Sequence, residues 1–118
     1  MKKQGNEAPS DNVYLVPTGY WRTYEQLTRH DPPTISRWVA EGCPTYAEAR
    51  EIYIFGNHRG RSVGTAAVGA VYQQYGIVIS KFGNSYRLGM PQDKEQYARL
   101  FDLAAAQGIL FRVTQGEQ

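Results

Sequence analysis

The stretch Glu51–Ala67, EIYIFGNHRGRSVGTAA, is the one whose reading decides the fold. Ile52 to Phe55 is apolar throughout, as in a strand buried on both faces. A turn rich in glycine and arginine follows. The run from Thr65 to Tyr75 is almost free of charge, and Val68, Val71, Tyr72 and Tyr75 recur among alanines at helical spacing. The reading is therefore strand, glycine-arginine turn, buried helix. In that order backbone N–H groups point at the helix entrance, and the helix dipole adds positive potential there. Arg59 and Arg61 add charge at the same place. Asn57, His58, Arg59, Arg61, Ser62, Gly64 and Thr65 are thus the candidate binding residues, suited to a phosphate or another anion.

Downstream, Gly76 stops that helix and Ile77 to Ser80 is a β-branched strand. Lys81 to Asn84 reads as a turn and Ser85 to Leu88 as a short strand. Pro91 opens a last helix over 92–107, with Asp93 and Glu95 near its N-terminus and Gly108 closing it. Ile109 to Val113 is the final strand. Strands alternating with helices predict an α/β fold, a small single-domain sheet flanked by helices. Ile52 to Phe55 is expected as its central strand. The expected core is Ile54, Val68, Val71, Ile77, Ile79, Leu100, Leu103 and Phe111.

Upstream, residues 1–12 are polar and expected to form a loose tail. Val13 to Val16 is a strand candidate. Trp21 to Arg29 has helical character, and Ile35, Trp38 and Val39 give a second helix over Pro33 to Glu41, capped by Asp31 and ended by Gly42. Tyr46 to Arg50 adds a helical turn. One domain is expected over 13–118, helical to residue 50 and α/β over 51–114.

With 118 residues the chain is long enough for one compact domain with a core of its own. A net charge of +2 is a weak pull on polyanions. The single cysteine, Cys43, cannot form an internal disulfide, and a reducing cytosol is the expected compartment. No apolar run reaches membrane-spanning length. Neither Cys43 nor the histidines, His30 and His58, have metal-ligand spacing. No metal, no cofactor and no catalytic residue is expected, and the chain reads as non-enzymatic. His58, between asparagine and arginine, is the one residue with a place to act on a phosphate-bearing substrate.

Residues 51–114 resemble a family of small phage and prophage proteins grouped with macrodomain-like folds. The matching residues are Phe55-Gly56-Asn57, Gly60-Arg61, Ala66-Ala67, Tyr75-Gly76, Asn84-Ser85-Tyr86, Pro91 and Phe111-Arg112-Val113-Thr114. Val63 and Thr65 stand where the family places glycines. The resemblance implies a truncated macro-like core and a nucleotide or ADP-ribose-like ligand at 57–65. It also implies that a ligand loop expected after Thr114 is missing, leaving apolar surface near Leu110, Phe111 and the loop after Phe55. Such surface is usually an interface, so a homodimer through the C-terminal strand is expected.

Residues 20–44 resemble the helix-turn-helix of phage terminase small subunits and excisionase-like proteins, through Tyr24-Glu25-Gln26-Leu27 and Thr34 to Pro44. This implies a DNA-binding regulator in which Thr34, Ser36 and Arg37 face the major groove. A small inhibitor of a host defence complex is a third class, for which no residue identifies a target. Trp21 and Trp38 read as core.

Overall fold

The computed structural model describes residues 22–44 and 50–111. Its elements are α1 (Tyr24–Thr28), β1 (Thr34–Pro44), β2 (Arg50–His58), β3 (Arg61–Gly64), β4 (Val68–Tyr72), β5 (Ile77–Ser80), β6 (Ser85–Leu88), α2 (Glu95–Ala106) and β7 (Leu110–Phe111). The strands form one mixed sheet in the order β3-β2-β1-β6-β5-β4-β7. The architecture is thus mainly β, with helices α1 and α2 as cover. The α/β expectation holds as far as one sheet with packed helices, with two expected helices replaced by strands.

The first replacement is Thr65 to Tyr75. Its apolar stretch is short and contains Val68 and Val71, and all five residues of β4 are buried. A short run of this kind suits a central strand as well as a buried helix, and periodicity does not separate them. Here β4 lies between β5, antiparallel, and β7, parallel. Burial on both faces explains why no polar residue marks its period.

The second is Pro33 to Glu41, which from Thr34 onward belongs to strand β1. Its ladder with β2 shifts between Ser36 and Val39. Arg37 and Trp38 stand opposite the single residue Gly56, an antiparallel β-bulge. The extra residue stretches the spacing between the inward-facing Ile35 and Trp38 from two to three. That bulge is what gave Ile35, Trp38 and Val39 their helix-like spacing. No helix-turn-helix is formed by the described residues, and Cys43 is an exposed strand residue, not one beyond a helix end.

The edge of β1 facing away from β2 is occupied along most of its length. Thr34 and Ile35 pair in parallel with Arg87 and Leu88 of β6. The chain leaving β6 then continues alongside: Arg37 N donates to Met90 O at 2.6 Å, and Gln92 N to Trp38 O at 2.9 Å. Beyond this, side chains of α2 take over. Ala40 N donates to Gln96 Oε1 at 3.0 Å and Arg99 Nε to Ala40 O at 2.6 Å. Helix α2 thereby serves both as core cover and as a substitute strand along an otherwise bare edge.

The core is split by the sheet. Ile35, Trp38, Ala40, Ile52, Ile54, Val68, Val71 and Val78 pack with Leu100 and Ala104 of α2. On the other face Leu27 of α1 packs with Ala70, Tyr72, Ile77, Ile79 and Phe111. Seven of the eight expected core residues are buried, and Leu103 is half-buried against the α2 cluster. Trp38 is fully buried and donates Nε1–H to Gly89 O at 2.8 Å. Leu110 and Phe111 lie inside this core, which corrects the expectation of exposed apolar surface there.

Strand β2 is second from the β3 edge rather than central. One face of β1-β2-β3 is packed through Ala40, Ile52 and Ile54. The other carries Tyr53, Phe55 and Asn57, with Phe55 44% exposed. Among the described residues no helix covers this outer face. Helix α1 spans Tyr24–Thr28, shorter than the expected helix, and begins with a capping box between Thr23 and Gln26. The last helix starts at Glu95 rather than 92, while Pro91 bridges to Trp38. The strand expected at Val13 to Val16, Trp21 and all of the helical turn expected at Tyr46 to Arg50 except Arg50, which begins β2, lie outside the described residues, as does the last part of the final strand.

Candidate functional site

Pairing of β1 with β2 brings the two candidate sets into one place. Ser36 stands opposite Asn57, and Nδ1 of His58 lies 3.0 Å from Thr34 O. A carbonyl oxygen only accepts, so Nδ1 carries the hydrogen and Nε2 is left for another partner. Arg87, absent from the sequence-based set, joins them because β6 pairs with the start of β1 at Thr34. Its Nη1 donates to Tyr24 OH at 3.4 Å.

Three open hollows run across this region and share residues. The first, about 530 Å³, is lined by Thr34, Ser36, His58, Arg59 and Arg87 together with Asp31 and the two prolines after it. The second, about 380 Å³, is lined by Ser36, Arg37, Asn57, Arg59 and Gly60. The third, about 470 Å³, is lined by Arg37, Val39, Phe55, Gly56, Ser62, Val63 and Gly64. Ser36 and Arg59 join the first to the second, and Arg37 joins the second to the third.

The backbone here is unusual. Arg59 and Gly60 form the two-residue connection of the β2–β3 hairpin, with φ of 54° and 80°. Positive φ at both residues marks a type I′ turn, whose first position favours Asn, Asp or Gly. Arg37, with φ of 53°, is the first residue of the β1 bulge, where a left-handed conformation ordinarily calls for Gly. Asp31 is the other non-glycine residue with positive φ among those described, and it lines the first hollow. Left-handed backbone costs an ordinary L-residue about 1–2 kcal/mol. Arginine thus occupies two positions where local backbone preference selects against it, and both face the same hollow. Strained residues that persist in this way cluster at binding and catalytic sites.

The charge is available. Arg37, Arg59 and Arg61 are exposed and form no ion pair among the described residues. Among the described residues Asp31 is the one carboxylate lining the three hollows. Arg61 stands opposite His58 and Ser62 opposite Asn57, at the rim of the same hairpin. The nearby acids on the outer face are engaged. Glu51 accepts from Lys81 Nζ at 3.0 Å and from Tyr53 OH at 2.9 Å. The bond from Lys81, reinforced by that from Tyr53, holds the Glu51 carboxyl below its usual range, while the same contact raises the Tyr53 hydroxyl. Glu41 pairs with Arg99 at 3.5 Å.

Two sequence-predicted residues have structural roles. Thr65 is buried, and its Oγ1 accepts from Ile54 N at 3.1 Å while its own N donates to Ile54 O, tying the end of β3 to β2. At Gly64 an added Cβ would lie 2.9 Å from Cδ1 of Phe55, so the bare backbone seats the Phe55 ring. No helix follows the hairpin, so no helix N-terminus supplies the positive potential expected from the sequence; the arginine side chains do. Gly56 completes the frame: a Cβ there would meet Ile35 Cγ2 and Ser36 O at 2.6 Å, so only glycine lets β2 pass the kink that aims Arg37.

Among the described residues no group of His, Cys, Asp and Glu is arranged to hold a metal ion. Among them, too, no helix is long and apolar enough to cross a membrane. No family model, no curated protein and no solved structure matches the chain.

Proposed function

We propose that this chain is a binding module that holds phosphate-bearing anions in the hollows between the β1 bulge and the β2–β3 turn. The observation that carries this reading is the pair Arg37 and Arg59, both in left-handed backbone, both unpaired among the described residues and both facing one hollow. Their guanidinium groups present planar forks suited to phosphate oxygens. Ser36 and Asn57 supply further hydrogen bonds, and Arg87 adds charge from the far wall. The resemblance to small phage macro-like proteins is part of the same proposal, since it too places an anion at this loop. The reading asks for no bond-making step.

Isothermal titration calorimetry with pyrophosphate, ADP and ADP-ribose tests it. Binding is expected for at least pyrophosphate, and the double variant Arg37→Ala/Arg59→Ala is expected to abolish it while keeping the far-ultraviolet circular dichroism of the parent. Absence of heat with all three ligands, or full binding by the folded double variant, would refute the reading.

The homodimer is proposed on a narrower basis than exposed apolar side chains. Among the described residues β7 has a strand neighbour on one side only, and that free backbone edge is the surface through which a second copy is expected to pair. Light scattering across a concentration range checks this; a monomer at the highest concentration refutes it.

A further inference from the structure

We infer that the phosphate-bearing ligand is a single-stranded nucleic acid, laid along the outer face of β2 with a base stacked on Phe55 and its phosphates against Arg37 and Arg59. The inference rests on the anion-binding reading above and adds the identity of the ligand.

The third hollow differs in chemistry from the other two. Its floor is the Phe55 ring, seated on the backbone of Gly64 and bordered by Val39 and Val63. Phe55 is 44% exposed, and Tyr53 lies beside it with ring centroids 6.4 Å apart and planes within 19°. The two rings are near-parallel and stacked, two residues apart on one strand, and the exposed part of Phe55 is left as a small aromatic platform. Bases stack on such platforms whatever their identity, because every base has a π face. Arg37 borders both the aromatic hollow and the basic one, so it is placed to bond a phosphate while its neighbour Phe55 takes a base.

The dimensions favour a strand over a mononucleotide. Phe55 on β2 and Arg59 in the turn just beyond it are four residues apart, up to about 13 Å at roughly 3.3 Å per residue. That is longer than the reach from a base to its own phosphate, so one nucleotide does not fill both ends. The hollows are also open and joined end to end, whereas a small-molecule site encloses most of its ligand. A duplex fits poorly, because its bases are stacked on one another and turned away from a flat aromatic floor. An acidic peptide matches the arginines but leaves the aromatic platform without a partner. At the far end of the face Glu41 and Glu51 are each paired with a cation, whereas the arginines unpaired among the described residues lie by the hairpin tip, so the path runs from the aromatic pair toward that tip.

Fluorescence anisotropy with a labelled twelve-nucleotide oligothymidylate and an oligouridylate of the same length provides the test, with pyrophosphate, a duplex of equal length and polyglutamate as competitors. At least one single strand is expected to bind tenfold or more tighter than pyrophosphate and than the duplex, and polyglutamate of matching charge is expected not to displace it. With three phosphates neutralised by Arg37, Arg59 and Arg87, a fourfold rise in salt is expected to weaken binding about 20-fold. Phe55→Ala should weaken the strand by about 5- to 150-fold, the range for loss of one base–aromatic stack, and leave pyrophosphate affinity unchanged. The unchanged pyrophosphate affinity also shows that the variant is folded. If pyrophosphate binds but the strand binds no tighter, or the duplex or polyglutamate competes equally, or Phe55→Ala leaves strand affinity within twofold, this inference is wrong and the anion-binding reading stands. If neither pyrophosphate nor strand binds, the anion-binding reading itself falls.

Discussion

Arg59→Asn should raise stability and lower anion affinity at once. The residue is the first of a two-residue type I′ turn with φ of 54°, followed by Gly60 at 80°. Asn-Gly is among the sequences such turns prefer, because Asn tolerates the left-handed region that costs other L-residues about 1–2 kcal/mol. The arginine side chain is exposed and forms no ion pair or side-chain hydrogen bond among the described residues, so no contact is given up. A net gain of about 0.5–1 kcal/mol is expected, allowing for partial relief of strain. That corresponds to a rise of about 2–5 °C in Tm for a domain of this size. In binding, the variant removes charge-assisted hydrogen bonds that contribute about 1.5–3 kcal/mol where desolvated. At this open site the lower end applies, so pyrophosphate affinity should fall about tenfold. Arg59→Lys is the companion: it keeps the strain and the charge but loses the planar fork, so Tm should hold while affinity falls severalfold. Scanning calorimetry and titration calorimetry on the same preparations read both quantities. A lower Tm for Arg59→Asn would refute the assignment of strain at this turn. Unchanged pyrophosphate affinity would refute the role of Arg59.

Gly56→Ala should be the most damaging single-methyl change in the sheet, because two of the clashing atoms, Ser36 O and Trp38 Cα, are backbone and cannot swing away. A loss of about 3 kcal/mol is expected, the upper end for overpacking, read by denaturant unfolding; a loss smaller than that of Gly64→Ala, whose obstacle is the movable Phe55 ring, would refute the close-passage account. Tyr72 gives a pH signature. Its side chain is 1% exposed and burial pushes its hydroxyl above the ordinary value of 10.0. Above that pH the unfolded chain releases a proton that the folded chain keeps, so stability falls with rising pH at up to about 1.4 kcal/mol per pH unit from this residue. Tyr72→Phe should be less stable than the parent at pH 7, and urea unfolding should show the difference shrinking between pH 10 and 11. A gap that stays constant would contradict the burial of an un-ionised hydroxyl.

Much of the second half of the chain is legible from residue order alone. The Lys81 to Asn84 turn, Gly108 and the β-branched run Ile77 to Ser80 announce their elements locally, since turn and strand preferences there agree with the fold; Gly76, expected to stop a helix, instead lies in the turn between β4 and β5. Seven core residues were recoverable too, because burial of a large apolar side chain is the same whether it sits on a helix or a strand. The two misread helices share one cause. Helix and strand are told apart by period, and tertiary structure altered the period in both. In β4, cover on both faces erased the alternation; in β1, a bulge at Arg37 inserted one residue and turned a spacing of two into three.

The candidate site divides along the same line. The residues of the Asn57 to Thr65 loop and the trio Thr34, Ser36 and Arg37 stand out in the sequence as polar and basic clusters, but as rival sites on different supposed motifs. Only the β1–β2 register, which sets Ser36 against Asn57, makes them one site. Arg87 and the exposed Phe55 ring had no local signal, because Arg87 reaches the site through β6 pairing and Phe55 through a sheet face that no helix covers among the described residues. By itself the sequence determined composition, turns, core membership and where the charge lies, all properties of single residues or near neighbours. Which strands pair, which faces the helices cover and which arginines share a hollow are set by contacts between residues far apart in the chain, and only the tertiary structure decided them.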